Sequence, residues 1–113
     1  MGKKNTQTLE ARYGLADVLH SEKKYTEAEK EHREVYELRK GVLSETHKKT
    51  FQSRAGYVRA LAGQEGKLDK AIAELRALLE EQKATPLRDE GDYQNNLDTL
   101  KFLEDALRKG KTN

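Results

Sequence analysis

The chain has 113 residues, of which 22 are basic and 20 acidic, giving a net charge of +2 with no cysteine. That length argues for one domain, the missing thiols exclude a disulfide framework or thiolate metal centre and suit a reducing cytoplasmic setting, and interleaved, nearly cancelling charges argue against a nucleic-acid surface, which gathers its basic residues on one face. With 37% charged side chains and a mean hydropathy of -1.02, no apolar run reaches the roughly 18 residues of a membrane span, and the opening residues lack the apolar core of a secretory signal.

Met1-Gly2-Lys3-Lys4-Asn5-Thr6 fits the loose N-myristoylation pattern, and equally a start methionine that happens to precede glycine. From there the pattern predicts five helices, over residues 6–22, 26–42, 48–63, 68–83 and 92–109. Leu9, Leu15, Ala16 and Leu19 fall on one face of the first at steps of three and four. The second opens on Thr26 with Glu29 at capping-box spacing and carries Ala28, Val35 and Leu38. Phe51, Tyr57, Val58 and Leu61 mark the third. The fourth has Leu68, Ala71, Leu75, Leu78 and Leu79 on one face and Asp69 in its first turn, where a carboxylate complements the helix dipole. Ala84-Thr85-Pro86 ends it, because proline supplies no amide donor and disfavours helix before itself. Gly91 reads as a break ahead of the last helix, whose apolar face is Leu97, Leu100, Leu103 and Leu107.

The chain repeats itself. Thr8-Leu9, Arg12, Gly14-Leu15 and Leu19 return 42 positions later as Thr50-Phe51, Arg54, Gly56-Tyr57 and Leu61. Lys24-Tyr25-Thr26-Glu27-Ala28 returns after 43 as Lys67-Leu68-Asp69-Lys70-Ala71, so the turn at Gln64-Glu65-Gly66 is one residue longer than its counterpart. The last helix is a weaker third echo, with Leu97, Leu100, Leu103 and Leu107 against Leu9, Arg12, Leu15 and Leu19. The organisation expected is repeat one at 8–43, repeat two at 50–83, a loop at 84–91 and a capping helix at 92–109, all one domain.

These residues resemble a tetratricopeptide repeat of the longer, kinesin-light-chain type. The resemblance rests on Thr8-Leu9, Arg12, Leu15-Ala16, Leu19, Lys24-Tyr25, Glu27-Ala28-Glu29 and Arg33, then Val42-Leu43 through His47 to Thr50. Lys48 stands where that family usually has proline, Ser44 where it has glycine, and Gly14 and Gly56 where a groove asparagine is common. The resemblance implies an all-α, right-handed superhelix of helix pairs that binds a protein or peptide in its concave groove. Its groove positions fall on Glu10, Tyr13, Asp17 and His20, then Gln52, Ala55 and Arg59, then Asp98, Lys101 and Asp105. The carboxylate clamp of chaperone-binding members is not expected, since Tyr13 and Asp17 occupy its positions.

Each helix pair of such a stack has an apolar stripe that its neighbour must bury, and about three repeats are normally needed. A chain of two and a half repeats implies a polar cap, self-association, or membership of a longer array. The mixed charges of Asp98, Lys101, Glu104, Asp105 and Arg108 suit a cap.

Catalysis and cofactors are not expected. Ser21, Ser44 and Ser53 read as helix-end or exposed residues, and His20, His32 and His47 do not pair at zinc-helix spacing. His32 reads as a packed, hydrogen-bonded core histidine and His47 as a structural linker residue. Gly63-Gln64-Glu65-Gly66-Lys67 lacks the spacing and the hydroxyl residue of a phosphate loop, and reads as a turn. The functions expected are therefore protein–protein binding first, through the concave groove or an end face, and homo-oligomeric self-assembly through open helical end faces second. Nucleic-acid binding would rest on the basic ends alone.

Overall fold

A computed structural model describes residues 2, 5–86 and 88–111. The myristoylation pattern falls partly on residues 1, 3 and 4, outside the described residues. Five α-helices account for the fold of the described residues: α1 (Thr6–Ser21), α2 (Tyr25–Val42), α3 (Lys48–Ala62), α4 (Leu68–Ala84) and α5 (Glu90–Lys111). No strand occurs among the described residues, and no helix of the described chain is long and apolar enough to cross a membrane.

Local chemistry sets the helix ends. The Asn5 side chain accepts from the amides of Gln7 and Thr8, at 2.9 and 3.4 Å, so α1 starts where two otherwise orphaned donors find an acceptor. His47 Nδ1 does the same for the Lys49 amide at the head of α3. The capping box expected at Thr26 and Glu29 does not form: α2 begins one residue earlier, after Lys24, without a side-chain cap. Both residues instead reach the longer turn between α3 and α4. Gln64 Nε2 donates to Glu29 Oε1 at 2.7 Å, Lys67 Nζ lies 3.1 Å from the same oxygen, and Thr26 Oγ1 donates to Gln64 Oε1 at 3.3 Å. A second difference concerns Gly91. Asp89 Oδ1 accepts from the Asp92 amide at 2.8 Å and starts α5 at Glu90, so this glycine lies in the first turn of the helix.

Each helix packs chiefly on its neighbours in sequence. α3 also touches α1 and α5 lightly, while the backbones of α2 and α4 do not meet among the described residues. This places α1, α3 and α5 side by side in one layer with α2 and α4 behind, in a body of 51 × 33 × 18 Å. Leu9, Ala16, Ala28, Val35, Val58, Leu61, Leu75 and Leu78 form the interior. Leu15, expected on that face, is 51% exposed beside Val18 at 52%, because α1 lies at the end of the row and nothing covers its outer side.

Where α2 hands over to α3, Ser44 takes φ 155°, a region that side chains with a Cβ rarely occupy. Ser44→Gly should relieve that strain and stabilise the fold by about 1 kcal/mol in chemical denaturation, net of the greater freedom glycine gives the unfolded chain. No gain, or a loss, would show that the turn carries no strain.

Candidate protein-binding groove

Side by side, α1, α3 and α5 present a cleft of about 270 Å³ lined by Tyr13, Phe51, Gln52, Ala55, Arg59, Gln82, Asp92, Asn95 and Asn96. Four of the expected groove residues thus meet there: Tyr13, Gln52, Ala55 and Arg59. Gln52 Nε2 donates to Asp92 Oδ2 at 3.1 Å, tying α3 to α5 across the cleft. Asp17 stands beside it, its Oδ1 3.8 Å from Arg59 Nη2.

The remaining expected residues lie elsewhere. Glu10 accepts from Arg39 Nη2 at 2.9 Å and Lys49 Nζ at 2.7 Å, and the Lys49 ammonium holds its carboxyl below the usual range. His20 packs edge-on to Tyr25, ring centres 5.1 Å apart. Asp98 accepts from Gln94 Nε2 at 3.0 Å, Lys101 is exposed, and Asp105 pairs with Arg108. None of these five lines the cleft.

Behind the surface lie three buried polar residues, Arg39, Ser53 and His32. Arg39 is 2% exposed, a burial that an isolated arginine in a charged helix does not advertise. Its Nη1 donates to the Lys49 carbonyl and to Ser53 Oγ, both at 3.1 Å, and its guanidinium lies 4.9 Å from the Tyr13 ring centre. Ser53, expected at an exposed position, is therefore fully buried as a partner for this cation. His32 is packed as expected, but its Nδ1 has no hydrogen-bond partner among the described residues. Its Nε2 faces Asp17 Oδ1 at 3.4 Å, and Tyr13 meets the ring edge-on at 5.3 Å. Burial pushes the imidazole down from 6.5 to about 4, with Asp17 opposing and Arg59, His20 and Arg39 adding to the shift.

The α5 residues of the cleft, Asp92, Asn95 and Asn96, escaped the sequence reading for a definable reason. Arg39 bonds to Ser53, 14 residues on, and Gln82 accepts from Asn96 Nδ2 at 3.1 Å across the same spacing. Both members of the second pair lie 43 positions beyond the first. That spacing sets Asn95 at the station of Gln52, whereas aligning Leu97 with Leu9 sets Asp98 there. Leucines at steps of three and four stay on one helix face after a slip of about one turn, so they cannot fix the register by themselves. The polar pair does.

The molecule is thus an all-α protein whose five helices pack in a manner compatible with a helical repeat, with a mixed polar cleft on one layer. No protein-family model matches the chain, and no curated protein and no solved structure matches it either.

Proposed function

We propose that the chain is a non-catalytic protein–protein interaction module. In this reading it is a tetratricopeptide-type, right-handed stack of about two helix pairs, repeat one at 8–43 and repeat two at 50–83, closed by a capping helix. Its concave layer holds a peptide or helix of a partner in the cytoplasm, without cofactor or nucleic acid. The observation that carries this reading is the cleft itself, where side chains of α1, α3 and α5 converge on one concavity. The recurrence of the Arg39–Ser53 bond as Gln82–Asn96 supports the repeat. So does the position of Lys101, 43 residues beyond fully buried Val58: an exposed cation there suits a helix that ends a stack.

A displayed library of random peptides should yield binders whose addition shifts the amide resonances of Tyr13, Gln52 and Arg59. Arg59→Glu should weaken them at least about tenfold, or about 1.4 kcal/mol. Binders that map to α2 and α4, or that ignore the substitution, would remove the groove from consideration.

The second reading is self-assembly, favoured by Leu15 and Val18, about half exposed on the outer side of α1, and by Phe102 at 72% on α5. Sedimentation that stays monomeric over a hundredfold range of concentration would end it.

A further inference from the structure

The floor of the cleft carries more polar chemistry than packing needs. Gln82 and Asn96 are 2% and 8% exposed, yet each uses only half of its side-chain amide in their mutual bond. What remains is one NH2 group and one carbonyl, whichever way the two amides are turned. Neither remaining group bonds to another described residue, and neither is among the atoms sealed from solvent without a partner. Both residues line the cleft, Gln82 also bordering the smaller hollow next to it, at Thr46, Lys48 and Thr85. A nearly buried donor and acceptor side by side, open only through a cavity, form a socket for a group that offers the reverse pair.

Charge narrows the guest. Arg59 pairs with Asp17 at the edge of the lining and Asp92 is offset by Lys48 of the adjoining hollow, so neither a carboxylate nor an ammonium gains net attraction. Gln52 and Asn95 add two further carboxamides, while Phe51 and the Tyr13 ring offer apolar wall for a short methylene stem. We propose that this cleft seats the carboxamide side chain of an asparagine or glutamine, presented by an uncharged segment of a partner protein. The proposal rests on the groove reading above and adds the chemistry that the groove selects.

The probes are four blocked tripeptides, acetyl-Ala-X-Ala-amide with Gln, Glu, Lys or Leu at X, titrated at millimolar concentration. The readout is the side-chain amide resonances of Gln82 and Asn96. The glutamine peptide should shift them at about fivefold lower concentration than the other three, the discrimination expected of one satisfied hydrogen-bond pair. The double variant Q82L/N96L removes both halves of the socket and leaves neither unpaired. In it, read through backbone amides of Gln52 and Asn95, the preference should vanish. Should that variant fail to fold, Asn96→Ser supplies the hydroxyl that Arg39 already uses at the matching station, keeps a partner for Gln82, and should also lose the preference. Equal shifts from all four peptides, or none from any, would overturn the proposal. Library binders that occupy the groove without asparagine or glutamine at this cleft would overturn it while leaving the groove reading intact. A selective glutamine response beside an empty library screen would support the socket's chemistry and count against a groove that holds its partner tightly.

Discussion

Replacing Gly56 with alanine should cost about 2 kcal/mol of stability, although alanine is the better helix former. An alanine Cβ would stand 2.4, 2.5 and 2.7 Å from three atoms of the His32 ring. That ring is 1% exposed, with Tyr13 against its edge and Asp17 at its Nε2, so it has no free direction in which to yield. Overpacking of this kind costs roughly 1–3 kcal/mol or more, and the helix preference of alanine returns less than about 1. Gly14 is the control. It occupies the corresponding place in α1 with nothing within 4 Å of an added Cβ, and Gly14→Ala should stabilise by somewhat under about 1 kcal/mol. Denaturant unfolding of the two variants should therefore separate them by about 3 kcal/mol. Equal stabilities would mean that the His32 ring is not held where the contacts place it. His32→Ala should open the space and make Gly56→Ala harmless in the double variant.

Acid should loosen the fold well before its carboxylates protonate. His32 stays neutral in the folded chain because burial lowers it from 6.5 to about 4, while the unfolded chain takes up its proton near the ordinary value. The unfolded state therefore binds more protons in the interval, and stability falls as pH drops from about 6.5 to about 4, levelling below that. A separation of this size is worth about 3 kcal/mol. Glu10 and Glu29 are held below their usual 4.5, so the stability they add is complete above that pH and is lost only on further acidification. The window from 4.5 to 6.5 thus isolates the imidazole. His32→Leu places there the residue found 43 positions on, where Leu75 is 1% exposed. That variant should flatten the curve in this window and remain folded at neutral pH. A wild-type curve already flat there would refute the prediction.

The helices were legible because their apolar residues recur at helical steps and their ends carry recognisable signals, such as the proline after α4. What escaped was longer in range. Thr26 and Glu29 have the spacing of a local cap, but Gln64 and Lys67 compete for the same groups from a distant turn and prevail. Burial of Arg39 and Ser53 depends on their meeting across two helices, and neither residue signals it alone. In the layer of α1, α3 and α5, carrying the groove positions of the resembled family onto the repeat register leads to Tyr13, Gln52, Ala55 and Arg59, which line the cleft, and equally to Glu10 and His20, which do not. In α5 the register rested on leucines, which tolerate a slip of one turn, and Asp92, Asn95 and Asn96 were passed over in consequence.

The two buried polar joints are chemically unlike, and heat should tell them apart. At the first, between α2 and α3, Arg39 brings a full charge; at the second, between α4 and α5, Gln82 and Asn96 bring none. The hydration of an ion weakens as temperature rises, so the penalty for burying the guanidinium shrinks on warming, with no comparable relief for two amides. The end of the molecule built on the amides is then the one expected to fray first on heating, with α5 leaving a still-ordered α1–α4 unit behind.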